Sequence, residues 1–135
     1  MKDLISLKVK VNRIMTGNLI TVSVGSTVEE AVKRMIECDV ECLPVIGSKG
    51  TLQGLLTFRD IITKAVYSQA DVRKLKVEDI MTKDLVTCKP NSTVLEVAKT
   101  MKNRHFRRIP VVNAKNKLVG LITDFDLALF GWDFK

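Results

Sequence analysis

A shift of 66 residues lays this chain over itself without a gap. VNRIMTGNLITVSVGSTVEEAVKRM, from Val11, answers to VEDIMTKDLVTCKPNSTVLEVAKTM, from Val77. LPVIGSKGTLQGLLTFRD, ending at Asp60, answers to IPVVNAKNKLVGLITDFD, ending at Asp126. Between 11–62 and 77–128, 20 of 52 paired positions are identical, far above what unrelated segments show. A solenoid needs about three copies or more, so two copies point to a pseudo-symmetric pair that buries a shared face.

Each copy carries the same local signals. A short extended piece is expected first, at Leu19–Val22 and at Leu85–Cys88. A helix follows, with Ser26-Thr27 or Ser92-Thr93 as the cap and glutamate in the first turn. Val28, Ala31, Val32, Met35 and Ile36 recur at helical spacing, as do Val94, Val97, Ala98 and Met101. Two apolar runs around a polar turn read as an antiparallel hairpin: Leu43–Ile46 with Leu52–Leu56, and Ile109–Val112 with Leu118–Ile122. A second helix starts near Thr57 and near Thr123; in the first copy Ile61, Ile62, Ala65 and Val66 carry it toward Leu75. The order is β-α-β-β-α, twice, an α/β (α+β) fold in which the first strand lies parallel beside the strand across its helix. At about 55 residues a lone copy has a marginal core, so the two are expected to pack sheet to sheet as one module. The expected divisions are repeat 1 at 8–66, a connector at 67–76, repeat 2 at 77–130 and an aromatic tail at 131–135.

Composition narrows the function classes. No apolar run approaches the roughly 18–20 residues of a membrane span, and MKDLISLKVKV alternates and is charged, unlike a secretory signal. A cytoplasmic protein is the expectation. Cys38, Cys42 and Cys88 with one histidine do not make a tight four-ligand metal set; small, buried, reduced residues are expected. The net charge of +7 is uneven: residues 11–62 sum to −1, 77–128 to +3, the first ten to +2, residues 63–76 to +3 and the remainder to zero. That balance favours an anionic partner, although a solvated surface accounts for it equally well. Neither a Gly-rich nucleotide loop nor a His–Glu metal pair is present, so no enzyme is expected.

The motif at each copy's end, GLLTFRD (54–60) and GLITDFD (120–126), has two readings. T-x-x-D is a capping box, with Thr at the N-cap and the acid three residues on. It is also a strand-to-helix junction where Gly54 and Gly120 permit close approach of another group. RHFRR, Arg104 to Arg108, stands where the first copy has CDVEC, Cys38 to Cys42. It is either a charge-complemented helix end or a phosphate clamp formed by Arg104, His105, Arg107 and Arg108.

The combination of I-M-T-x-x-h-h-T (h apolar) at 14–21 and 80–87, S-T-V-x-E at the first helix, h-P-V-h at 43–46 and 109–112, and G-h-h-T-x-x-D resembles the tandem CBS domain, named for cystathionine beta-synthase, over about residues 8–130. The resemblance implies two repeats packed through their sheets, clefts for AMP, ADP or ATP (S-adenosylmethionine or an NAD-type molecule less so), a disk-like homodimer and regulation of an effector protein. It matches stand-alone members of the family. Carried onto this sequence, it assigns the ribose to Asp60 and Asp126, since an ionised carboxylate accepts two hydroxyls strongly. The phosphate falls to Thr57 and Thr123 at helix starts, where the dipole is positive. The adenine falls to a slot beside Ile20, Thr21, Cys42, Leu43 and Pro44 in one copy and Val86, Thr87, Arg108, Ile109 and Pro110 in the other. Asp124 beside a phosphate would repel it, so the clefts need not hold the same ligand. Nucleic-acid binding through the basic second half is the alternative.

Overall fold

The computed structural model describes residues 8–133, with side chains through Gly131. Its first copy contains β1 (Val22–Ser23), α1 (Val28–Cys38), β2 (Cys42–Ile46), β3 (Leu52–Thr57) and α2 (Phe58–Ile61), which opens into a π-helical turn at Ile62–Val66. After α3 (Val77–Ile80), the second contains α4 (Val94–Arg104), β4 (Arg108–Val112), β5 (Leu118–Thr123) and α5 (Asp124–Asp133). β1 pairs parallel with β2, and β2 antiparallel with β3; β4 and β5 form the equivalent hairpin. Both hairpins slip register at the same place, Val45/Ile46 and Val111/Val112, so the repeat extends to backbone irregularities.

The helix caps follow the sequence. Thr27 Oγ1 accepts the Glu30 N–H at 3.2 Å, and Thr93 Oγ1 accepts that of Glu96 at 3.2 Å. The Glu96 carboxylate accepts the Thr93 N–H at 3.0 Å, closing a capping box.

The first extended pieces are shorter than expected. β1 has two residues, and in the second copy a single parallel bridge, Cys88 to Val111, takes its place. Pro44 and Pro110 explain the late start, and Pro90, which stands where Val24 donates to the Ile46 carbonyl, explains the single bridge. A proline offers no N–H to a ladder, so parallel pairing begins only beyond it, at Val22–Val45. The helix projected toward Leu75 also ends early. Tyr67 N–H bonds the Ile62 carbonyl and Ala70 N–H that of Ala65, each five residues back, and Gln69 then takes φ +58°. Cys42 is buried, but Cys38 is exposed at the end of α1, because the apolar face of that helix is carried by Val28, Ala31 and Met35. Phe130, at the end of the expected second repeat, is buried within α5; the Trp132 side chain and Phe134 lie outside the described residues.

The compact units do not coincide with the repeats. One unit is Ile20–Leu85; the other joins the chain through Leu19 to the chain from Val86 onward. Each hairpin is thus completed by the I-M-T segment of the opposite repeat. In the first unit Leu55 and Thr82 exchange both backbone hydrogen bonds (3.0 and 2.8 Å). In the second, Leu121 and Thr16 do the same (3.0 and 2.9 Å). The helix starts are served likewise: Val28 N–H bonds the Leu75 carbonyl, and Val94 N–H that of Val9, both at 2.9 Å. Each unit has a core cluster of its own. Val28, Met35, Leu43, Leu56, Val77 and Ile80 belong to one; Val11, Val97, Ile109, Val111 and Ile122 belong to the other.

Candidate functional site

Each hairpin ends on its T-x-x-D junction. Register places Cys42 opposite Thr57 and Arg108 opposite Thr123, so the residue two before the proline adjoins the helix start. One step earlier, the Glu41 carbonyl accepts the Phe58 N–H (3.2 Å), and the Arg107 carbonyl accepts the Asp124 N–H (2.9 Å). Repeat 1 therefore has an acid where repeat 2 has an arginine, each fastened to the first residue of its second helix.

The junctions share a cap and differ around it. Thr57 Oγ1 accepts the Asp60 N–H at 3.2 Å, and Thr123 Oγ1 accepts that of Asp126 at 3.2 Å. In return Asp60 Oδ2 accepts the Thr57 N–H at 3.0 Å, and Asp126 Oδ2 accepts the Thr123 N–H at 2.9 Å. Asp60 goes further. Its Oδ2 also accepts the Thr57 hydroxyl (3.1 Å), while Oδ1 accepts the Thr82 hydroxyl (3.0 Å) and the Lys64 ammonium (3.1 Å). Lys64 donates as well to the Ile80 carbonyl at 3.0 Å, tying the π turn to α3. Asp60 is only 5% exposed and is the one charged residue among the buried described ones. Asp126 is half-buried, and among the described residues Thr123 N–H is the one donor its carboxylate receives.

Two side chains of the basic run of repeat 2 make local contacts of their own. His105 ends α4 in the left-handed conformation (φ +58°), as Asp39 does for α1 (φ +54°), and its side chain is exposed. The Arg104 guanidinium stands over the Phe106 ring, 5.7 Å from its centroid. Arg107 Nε pairs with Asp124 Oδ2 at 3.1 Å, so the acid that would repel a phosphate is held by an arginine beside Thr123. Arg108 lies at the start of β4, half-buried, next to the same threonine.

The adenine-slot residues divide. Cys42, Leu43, Pro44, Ile109 and Pro110 are buried, leaving backbone edges as what they can offer. Val86, Thr87 and Ile109 do meet, lining a cavity of about 220 Å³ with Cys88, Ser92 and Glu96. That volume is below the roughly 300 Å³ at which small-molecule pockets begin, and it suits part of a ligand. Thr21 lines an open depression of about 390 Å³ with Ser26, Glu30 and Arg34; Ile20, Cys42 and Leu43 do not reach it. Burial pushes the Cys88 thiol up to about 11, with Glu96 adding to the effect, so it is a protonated wall rather than a nucleophile.

Sequence reasoning missed Lys64 and Thr82. Position 64 pairs with Phe130 in the 66-residue shift, two places beyond the compared window, so this substitution of an ammonium by a ring was readable but unread. Thr82 stood in plain view as half of the Thr16/Thr82 identity, but its target lies across the repeat boundary.

The comparisons agree with this geometry. The family model described as CBS domain matches residues 11–67 and again 77–132. The solved CBS domain pair of protein MJ0100, in complex with 5′-methylthioadenosine and S-adenosyl-L-methionine, is 30% identical with a TM-score of 0.81, covering 93% of this chain and 98% of that one. CBSX2, solved in complex with AMP, is 26% identical with a TM-score of 0.80, covering 92% and 96%. Homoserine O-acetyltransferase of Methanococcoides burtonii is 35% identical over 114 residues, which is 84% of this chain but 22% of that protein. The chain thus spans about a fifth of that relative's length. With two tandem matches over nearly all of its described length, the chain belongs to the CBS-domain family.

Proposed function

We propose that this chain is a regulatory module that binds an adenosyl ligand of the AMP, ADP or ATP type and signals its occupancy to a partner protein by a change of conformation. The observation carrying this reading is the strand-to-helix junction at Thr123–Asp126. There a partly open carboxylate, a threonine cap and two arginines lie within one short stretch at a helix start. A ribose presents two adjacent hydroxyl donors, which a carboxylate with vacant lone pairs accepts. A phosphate finds cationic donors and the positive end of α5 beside it. The AMP, methylthioadenosine and S-adenosylmethionine complexes of similar domain pairs support the ligand class.

The role is sensing rather than catalysis, and the match to an enzyme over 22% of its length fits a module carried alongside a catalytic part. Exposed Phe58, Ile62, Val66 and Tyr67 in one unit, and Phe125 and Leu129 in the other, support burial against a second copy as a homodimer. Among the described residues no helix is long and apolar enough to cross a membrane.

Isothermal titration with AMP, ADP, ATP and S-adenosylmethionine tests the reading. Micromolar binding is expected for at least one, and no heat with any of them refutes it. Salt-sensitive gel shifts of RNA or DNA in its place would favour the basic surface as a nucleic-acid site, for which the exposed Arg104 and Arg107 are the supporting observation.

A further inference from the structure

The two aspartates occupy equivalent positions and have different chemical capacity. A carboxylate has about four lone-pair sites. Asp60 fills four with its own chain: the N–H and hydroxyl of Thr57, the hydroxyl of Thr82 and the ammonium of Lys64. It does so while nearly excluded from water. A ribose hydroxyl would have to displace Lys64 or Thr82, and either displacement strips a partner from a buried charge. Asp126 receives a single donor from the described residues and is more open to solvent. The residue in the place of Lys64 is Phe130, buried and unable to donate to a carboxylate. The charge fastened at the helix start reverses as well, Glu41 against Arg107.

We propose that the two junctions have separate jobs: Asp60 is a structural keystone saturated by Lys64 and Thr82, and ligand hydroxyls are accepted at Asp126 alone, one ligand per chain. This rests on the adenosyl-ligand reading and refines it. Lys64 is then the specificity-determining residue of the first repeat, a cation of the chain itself, 46% exposed, that takes the place of a ligand's hydroxyl on Asp60. The i, i+4 spacing puts Lys64 within reach of Asp60, and its ammonium also bonds the Ile80 carbonyl.

The test has a ligand-free arm and an AMP arm. Without ligand, Asp60→Asn should lower the melting temperature by at least about 5 °C and Asp126→Asn by much less. Equal shifts, or the opposite ranking, overturn the keystone. In AMP titrations the wild-type chain should bind one equivalent, Asp126→Asn should weaken binding at least tenfold, and Thr82→Val should stay within threefold of wild type. Thr82→Val removes one donor of four and covers the case in which Asp60→Asn does not fold. Two equivalents in the wild type, or a tenfold loss in Thr82→Val, overturns the assignment of one cleft. Absence of AMP binding in the wild type counts against the nucleotide reading instead, and the melting ranking still decides the role of Asp60.

Discussion

The two motif glycines should differ sharply in what a methyl group costs. An ideal Cβ on Gly54 would lie 2.7 Å from Met81 Sδ and 2.9 Å from the Thr82 carbonyl oxygen. That oxygen accepts the Leu55 N–H at 3.0 Å, and Thr82 N–H returns a bond to Leu55 at 2.8 Å. Carbon–oxygen contacts settle near roughly 3.3 Å, so the carbonyl must retreat by about 0.4 Å. Both bonds of the bridge then stretch toward or past the upper end of the favoured range, about 3.2 Å. Losing most of two such bonds, each about 1 kcal/mol, on top of overpacking of about 1–3 kcal/mol, gives about 2.5–5 kcal/mol for Gly54→Ala. At Gly120 the three atoms nearest the same methyl all belong to the Met15 side chain, Sδ, Cγ and Cε. Methionine has three rotatable side-chain bonds and can swing aside, so Gly120→Ala should cost about 1 kcal/mol or less. For a chain of this length 1 kcal/mol moves the melting temperature by about 3–5 °C. Thermal unfolding followed by circular dichroism should therefore show a drop of about 10–20 °C for Gly54→Ala and about 5 °C or less for Gly120→Ala. Adding Met15→Ala should cost less in the Gly120→Ala background than in wild type, whereas Met81→Ala should not restore Gly54→Ala. Equal drops at the two glycines would refute the claim that a backbone carbonyl of the opposite repeat's I-M-T segment sets the requirement at Gly54.

Other consequences are quicker to check. Iodoacetamide at pH 8 should label exposed Cys38 well before Cys88, whose thiolate fraction near that pH is about 0.1%, as read by peptide mass spectrometry. Because folding raises the Cys88 pKa from 9.0 to about 11, its contribution is complete below pH 9 and is lost as pH climbs toward 11; urea midpoints should fall across that window, and Cys88→Ala should flatten the fall. Thr93→Ala removes the acceptor of the Glu96 N–H and should cost about 1 kcal/mol in urea unfolding. His105→Gly should leave stability unchanged or raise it by up to about 1 kcal/mol, because glycine takes φ +58° without strain.

What could be read without coordinates was whatever depends on neighbours in sequence. Thr27 and Thr93 caps, the Val28 and Val94 helix faces and both hairpins follow from propensity and period, and each appears where the pattern put it. The exchange of I-M-T segments could not be read, for a reason built into the repeat. Ile14–Thr16 and Ile80–Thr82 are identical triplets, so no difference in side chains tells either one which hairpin to join. Only the glycines hinted at it, since a glycine inside a strand asks what approaches it, and the answer, Met81 on Gly54 and Met15 on Gly120, lies far off in sequence.

The same logic governs the site. An identical T-x-x-D motif says that two junctions have the same backbone; it does not say that the two carboxylates have the same vacancies. Vacancy is set by residues outside the motif: Lys64 one helical turn on, Thr82 from the opposite repeat, and Phe130 where a second lysine would have stood. A buried, fully partnered carboxylate holds its segment in place and is costly to reopen, while a half-exposed one with spare lone pairs can exchange water for ligand hydroxyls at little cost. Duplication supplies two copies of the motif. Divergence at position 64 gives one carboxylate an ammonium partner where the other repeat has Phe130, which has none to offer.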